Sequence, residues 1–405
     1  MVNISKQKIL EAITNQLDIT PTMHKTAVER YDSIARCLSE SGIEANFYVQ
    51  GSFRLGTVTR PIRNGVDGSY DIDLVCEGIG DKQLVSPSEI KNAVGDALKQ
   101  HGTYRELLED EGRRCWTLEY AEKDGVGFHI DILPSLKEDA SSIMRLIIGH
   151  SVNPEYAQNA IAITDWGDTG YDWETSNPIG YGMWFDEINK PFLLLVDKEV
   201  RKALTESYPD FYASVDAVPE FLVRTPLQRV IQILKRHRDV RFNGKQNEND
   251  KPISMIITTL TAEIVKTQRL TTPDTCELLN RVVENLDMYA QLLNGTASNP
   301  LQFNSPVITR NVAEDKWRIP NPTNPEENFA EKWNDNDQQK ARAFFQWVKW
   351  VRNDLVDIIN NPAFEFSQLN AGLGENVVSR ARQSYSPSAA ILTAPVIQIT
   401  SPTKS

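Results

Sequence analysis

Two aspartates one residue apart, Asp71 and Asp73, stand in an otherwise apolar segment, DIDLV, at 71–75. A third, Asp131, stands in a second apolar segment, HIDILP, at 129–134. Strand side chains alternate between faces, so Asp71 and Asp73 would point the same way, about 7 Å apart along the strand. Ile72 and Leu74 would point into a core, as would Ile130 and Ile132 beside Asp131. If the two strands are neighbours, three carboxylates converge. Such a cluster needs relief, because two like charges about 4 Å apart repel by roughly 4 kcal/mol at an effective dielectric near 20. A protonation or a cation supplies that relief.

The segment QGSFRLGTVTRP at 50–61 supplies a second element of chemistry. Gly51 lets the backbone approach a ligand closely, and Ser52 offers a hydroxyl and an N–H. Together they suit the β and γ phosphates of a nucleotide. Oxygen ligands beside phosphates favour Mg²⁺ or Mn²⁺. Two such ions can activate an attacking hydroxyl and stabilise a leaving pyrophosphate. A Gly-Ser pair alone is a turn, and a lone Asp-x-Asp is often a solvated strand edge. Their ordered combination with a later HIDILP is far harder to produce by chance.

Those segments must be held by a larger frame. The chain has 405 residues, enough for two domains. It is 40% hydrophobic and 24% charged, with a formal net charge of −12. That balance argues against coating long nucleic acid. Four cysteines lie scattered without a CxxC pair, which fits reduced thiols and a cytoplasmic address. The N-terminal segment lacks a signal-peptide core, and the run PFLLLV is too short to span a bilayer, so no membrane association is expected.

Helical periodicity over 5–40, interrupted by DITPT, predicts two N-terminal helices. Strands are predicted at ANFYVQGS, DIDLVCEG, RRCWTLEYA and VGFHIDILPS, with a helix at SPSEIKNAVGDALKQHG. From Thr225 onward the texture is helical, beginning with TPLQRVIQILKRHRDVRF. Residues 296–330 read as an ordered connector, and the Ser/Thr/Pro-rich stretch after Arg382 as a disordered tail.

The set GS, DID and HIDILP resembles the DNA polymerase beta-like nucleotidyltransferases. More narrowly, with TSNPIGYGMWF at 175–185 and NPTNPEENFAEKW at 321–333, the chain resembles the bacterial cyclic-oligonucleotide synthases, or CD-NTases. The likeness runs to about residue 380. It implies an α+β fold: a polymerase beta-like mixed sheet braced by the N-terminal helices (1–218), a helical domain closing the cleft (219–381), and a tail (382–405). It implies that Asp71 and Asp73 hold two Mg²⁺ or Mn²⁺ ions, and that Asp131 holds the catalytic ion and helps deprotonate the attacking hydroxyl. Gly51 and Ser52 would cradle the donor triphosphate.

The resemblance also carries Lys235, in LKRHRD, and Ser254, in PISM, across the cleft to the phosphates. A flexible ammonium and a hydroxyl near a helix N-terminus both suit an anion. Arg54, Arg60 and Arg63 could draw in a nucleotide or pair with surface acids. His129 reads as a supporting or packing residue. Trp173, Tyr181, Trp184 and Phe185 read as packing more than as a wall for a base. The implied reaction joins nucleoside triphosphates, ATP among them, into a cyclic di- or trinucleotide for anti-phage signalling. A regulatory activator protein is a further partner that the resemblance allows. The alternatives are a linear oligoadenylate-type or small-molecule nucleotidyltransferase, and an inactive nucleotide-binding module.

Overall fold

The computed structural model describes residues 6–59, 62–63, 66–68, 70–123, 126–294, 307–311 and 313–385. Arg60 and residues 386–405 of the expected tail lie outside them, and only the backbone of Arg63 is described.

A six-stranded mixed sheet is the frame. Its strands are β1 (Ala45–Gln50), β2 (Tyr70–Gly78), β3 (Trp116–Lys123), β4 (Val126–Lys137), β5 (Ile161–Gly167) and β6 (Gly170–Ser176). The order is β1-β2-β4-β5-β6, and β3 pairs with β4 as well. Strands β2 and β4 run parallel, and every other pair is antiparallel. The long β4 therefore lies beside β2 on one edge. On its other edge it serves β3 with its first part and β5 with its last.

The helices start where capping chemistry starts them. Thr20 accepts from Met23 N ahead of α2 (Pro21–Glu40). Ser86 and Glu89 form a capping box for α3 (Pro87–Gln100), and Thr225 and Gln228 form one further along the chain. Each of these helices opens with proline, whose missing N–H costs nothing there.

One face of the sheet buries Ile72, Leu74, Ile130 and Ile132 against Met23, Ile34 and Leu38 of α2 and Val94 and Leu98 of α3. The other N-terminal helix, α1 (Lys6–Asn15), does not brace the sheet in this way. Its Ile9, Leu10 and Ile13 join the large helical core. That core also takes in α4 (Pro178–Ser207), α5 (Pro226–Phe242), α6 (Ser254–Thr267), α7 (Thr275–Met288) and α8 (Gln339–Val351). Tyr181, Trp184 and Phe185 of α4 are buried in it beside residues that follow position 219, so apolar packing continues across the expected 218/219 boundary.

Two features depart from the expected elements. β5 and β6 form a hairpin that the strand patterns did not single out, and it leads straight into α4. Within the expected connector, 309–318 and 320–328 fold as two short hairpins. The helix Glu375–Tyr385 also runs past residue 381. No helix among the described residues is long and apolar enough to cross a membrane.

Candidate active site

The register of the sheet decides where the acids go. Asp73 is the direct neighbour of Asp131 across the parallel pair β2–β4. Gln50 lies beside Asp73 on β1, and Thr117 lies beside Asp131 on β3. One row therefore reads Gln50, Asp73, Asp131, Thr117 across four strands. Two residues back along the strands, on the same face, the next row reads Asp71, His129, Glu119. The three aspartates thus share one face, opposite the isoleucine and leucine core.

Electrostatics reports the same convergence. Burial, with repulsion from Asp131 and then Asp71, pushes the Asp73 carboxyl up to about 7, and only Lys235 pulls the other way. A divalent cation is the group that would relieve this crowding, so the donor set fits one. Thr117 donates its Oγ1 hydrogen to Asp131 Oδ1 at 2.6 Å and fixes that carboxylate. Thr117→Val is expected to lower turnover about 10-fold, the scale of losing a partner that orients a ligand, with little change in KM. Steady-state kinetics on the folded variant checks this.

Gly51 closes the site from above. It opens a one-turn helix, Gly51–Arg54, with φ at +61°, a left-handed conformation suited to glycine. A Cβ here would stand 2.2 Å from Asp73 Oδ2. The backbone therefore lies directly on the acid, and Ser52 follows on the same turn. Ser52 O accepts from Thr57 N at 2.9 Å, which curls the chain back.

Lys235 reaches this loop from α5, donating Nζ to Thr57 O at 2.9 Å. It is 5% exposed. Burial and then Arg238 push its ammonium down to about 8, while Asp239, Asp71 and Asp73 hold it up. Ser254 begins α6, and its Oγ accepts from Arg238 at 2.9 Å, so its hydroxyl is already tied to a cation. Arg54 pairs with Asp186 through two bonds, at 2.6 and 3.3 Å. That is the surface-acid alternative, not an open phosphate contact. Tyr181, Trp184 and Phe185 are buried packing residues, as expected, and Tyr181 also shares a hydrogen bond with Thr259.

His129 is 7% exposed and stands in a different grouping from the one expected. With Glu109 and Glu119 it forms a set whose potential ligand atoms all lie within 4.8 Å of one another. This set adjoins Asp71 through the β2–β4–β3 register. Among the described residues the aspartate trio is not drawn together that tightly. Wider spacing is what three like charges adopt.

Behind Gly51 lies a cavity of about 350 Å³. Gln50 and Gly51 form one wall, Leu55, Tyr181 and Met255 contribute apolar surface, and Ser176, Asn321 and Glu327 contribute polar surface. Neither Thr117 nor Glu327 was singled out from the sequence. No local motif marks them, because each gains its position from a strand or hairpin packed alongside.

Residues 45–134 match the family model described as the Cyclic GMP-AMP synthase DncV-like nucleotidyltransferase domain, a span that holds Gly51, Ser52 and all three aspartates. A c-di-GMP synthase of Roseivirga ehrenbergii is 28% identical over 336 residues, covering 81% of this chain and 73% of that protein. The cyclic dinucleotide synthase CdnG of Bradyrhizobium diazoefficiens is 24% identical over 249 residues, 58% of this chain and 53% of that protein. Among solved structures, the Bradyrhizobium diazoefficiens CD-NTase CdnG in complex with GTP superposes with a TM-score of 0.67 at 20% identity, over 94% of this chain and 99% of that one. CdnC of E. coli MS115-1 with ATP gives 0.56 at 11% identity, over 92% and 99%. The α+β fold is thus shared along nearly the whole chain. The protein belongs to the bacterial CD-NTases and is a nucleotidyltransferase.

Proposed function

We propose that this enzyme joins two nucleoside triphosphates into a cyclic dinucleotide. In each half-reaction a ribose hydroxyl oxygen bonds to an α-phosphorus, the α–β phosphoanhydride bond breaks, and pyrophosphate leaves. Asp131, oriented by Thr117, is placed to draw the proton from the attacking hydroxyl. Gly51 and Ser52 hold the donor triphosphate by backbone and hydroxyl. Lys235 adds positive charge behind the loop, and Ser254 acts through its bond to Arg238. Asp71, Asp73 and Asp131 would hold two Mg²⁺ or Mn²⁺ ions, which when bound neutralise the triphosphate and acidify the hydroxyl.

The observation that carries this reading is the Asp73–Asp131 register beneath Gly51. The name of the Roseivirga relative supports guanine nucleotides as substrates, so GTP stands beside the ATP expected from the family resemblance. Cytoplasmic anti-phage signalling belongs to the same proposal and rests on that resemblance.

The test is incubation with labelled ATP and GTP, separately and mixed, with Mg²⁺. A phosphatase-resistant product of dinucleotide mass is expected, and a chelator should stop its formation. Products that remain phosphatase-sensitive would overturn the ring-closing step, and turnover unaffected by the chelator would overturn the metal assignment.

A further inference from the structure

The cavity behind Gly51 holds one acid, and that acid is set up as an acceptor. Glu327 sits on the hairpin strand Asn324–Asn328. Its Oε2 accepts from Asn321 Nδ2 at 2.8 Å and from Ser176 Oγ at 3.1 Å. The same hairpin is pinned to the sheet lobe. Asn177 Nδ2 donates to Thr323 O at 3.0 Å, and Asn324 Nδ2 donates to Thr175 Oγ1 at 2.7 Å. Asn321 Oδ1 is engaged by Thr323 N and Oγ1, so that side chain is spent on holding the hairpin and Glu327. A carboxylate offers about four lone-pair sites. Two are used by Asn321 and Ser176. Among the described residues no protein donor bonds Oε1.

A buried carboxylate with acceptor capacity left over costs free energy until a donor arrives. Burial does raise the proton affinity of this group, and Glu174 adds to that, while Asn321, Arg114 and Ser176 oppose it. The missing partner should therefore bring two adjacent N–H donors on a flat ring. Leu55, Tyr181 and Met255 provide apolar surface for such a ring. Guanine presents N1–H next to its exocyclic N2–H₂. Adenine and cytosine each place a ring-nitrogen acceptor beside their amine, and uracil flanks its one N–H with two carbonyls. An anionic acceptor pair repels those lone pairs.

We infer that Glu327 is a specificity residue that accepts N1–H and N2–H of a guanine seated in this cavity. This rests on the transferase reading above, because Gln50 and Gly51 join the cavity to the aspartate row. A site built to accept a substrate N–H can reject analogues lacking it by orders of magnitude.

The experiment measures equilibrium binding of GTP, ITP, XTP and ATP to the full chain, with Ca²⁺ replacing Mg²⁺ to hold back turnover, beside product mass spectra with Mg²⁺. The wild type should bind GTP at least about tenfold tighter than ITP, which lacks the N2 amine, and tighter than ATP. Glu327→Gln exchanges one acceptor for a donor. It should lose at least about tenfold for GTP and gain for XTP, whose C2 carbonyl accepts that donor. Glu327→Asp keeps the charge and should keep the GTP-over-ATP order with weaker binding. Melting curves confirm that the variants fold. An unchanged GTP-to-ATP ratio in Glu327→Gln, or no GTP preference in the wild type, overturns the inference. Nucleotides joined with one base preference in both chains would refute the guanine reader and leave the transferase standing. Glu327-dependent GTP binding without pyrophosphate release would do the reverse.

Discussion

Asp73→Asn is expected to reduce product formation on the order of 10³-fold, the scale of removing a preorganised charged group from a reacting centre. The same change should stabilise the metal-free fold, and the reason is the sign of the proton linkage. Crowding by burial, Asp131 and Asp71 raises the carboxyl of Asp73 to about 7 in the folded chain. The folded state therefore holds a proton over a range in which the unfolded state has released it. The stability this proton contributes is fully present below the ordinary carboxylate range and is lost as pH rises toward 7. In chelator, the variant and the wild type should melt together at about pH 4, and the variant should melt a few degrees higher at about pH 8. Adding Mg²⁺ with nucleotide should close that gap from the wild-type side. Differential scanning calorimetry across pH reads all three conditions. A variant that melts lower at high pH would mean that Asp73 is a satisfied structural acid.

Gly51→Ala carries the second large effect. The alanine Cβ would meet Asp73 Oδ2 at 2.2 Å, at a residue whose φ is +61°. Either the carboxylate swings away or the turn shifts, and both move an acid relative to its row. A left-handed alanine costs about 1–2 kcal/mol, which a protein of this size tolerates. Turnover should fall on the order of 10²-fold, because small misplacements at a reacting centre are expensive, while the chain still folds. Kinetics beside circular dichroism separates the two effects. Near-normal turnover would show that the Gly51 backbone need not lie on Asp73.

The aspartates were legible because strand alternation is local. Asp71 and Asp73 share a face whatever lies beside them, and isoleucine on the alternate positions says which face is core. That β4 is the strand beside β2 was not legible, since the two are separated by a helix and by β3. Only the resemblance to a known family anticipated that neighbourhood. Thr117 and Glu327 were invisible for the same reason, being ordinary residues made important by register and by a packed hairpin. The hairpin β5–β6 carries a signal, IAIT followed by GDTG, that reads as strand and turn in retrospect. For α1, amphipathic spacing shows that one face is buried without showing against what. Its apolar residues proved to match the helical core and not the sheet.

Mn²⁺ anomalous scattering from crystals grown with a non-hydrolysable nucleotide tests the site most directly. Peaks bounded by the carboxylates of Asp71, Asp73 and Asp131, beneath the Gly51 turn and beside the triphosphate, are the expected result. Manganese bound solely at Glu109, Glu119 and His129, with the aspartate row empty and the nucleotide elsewhere, would contradict it.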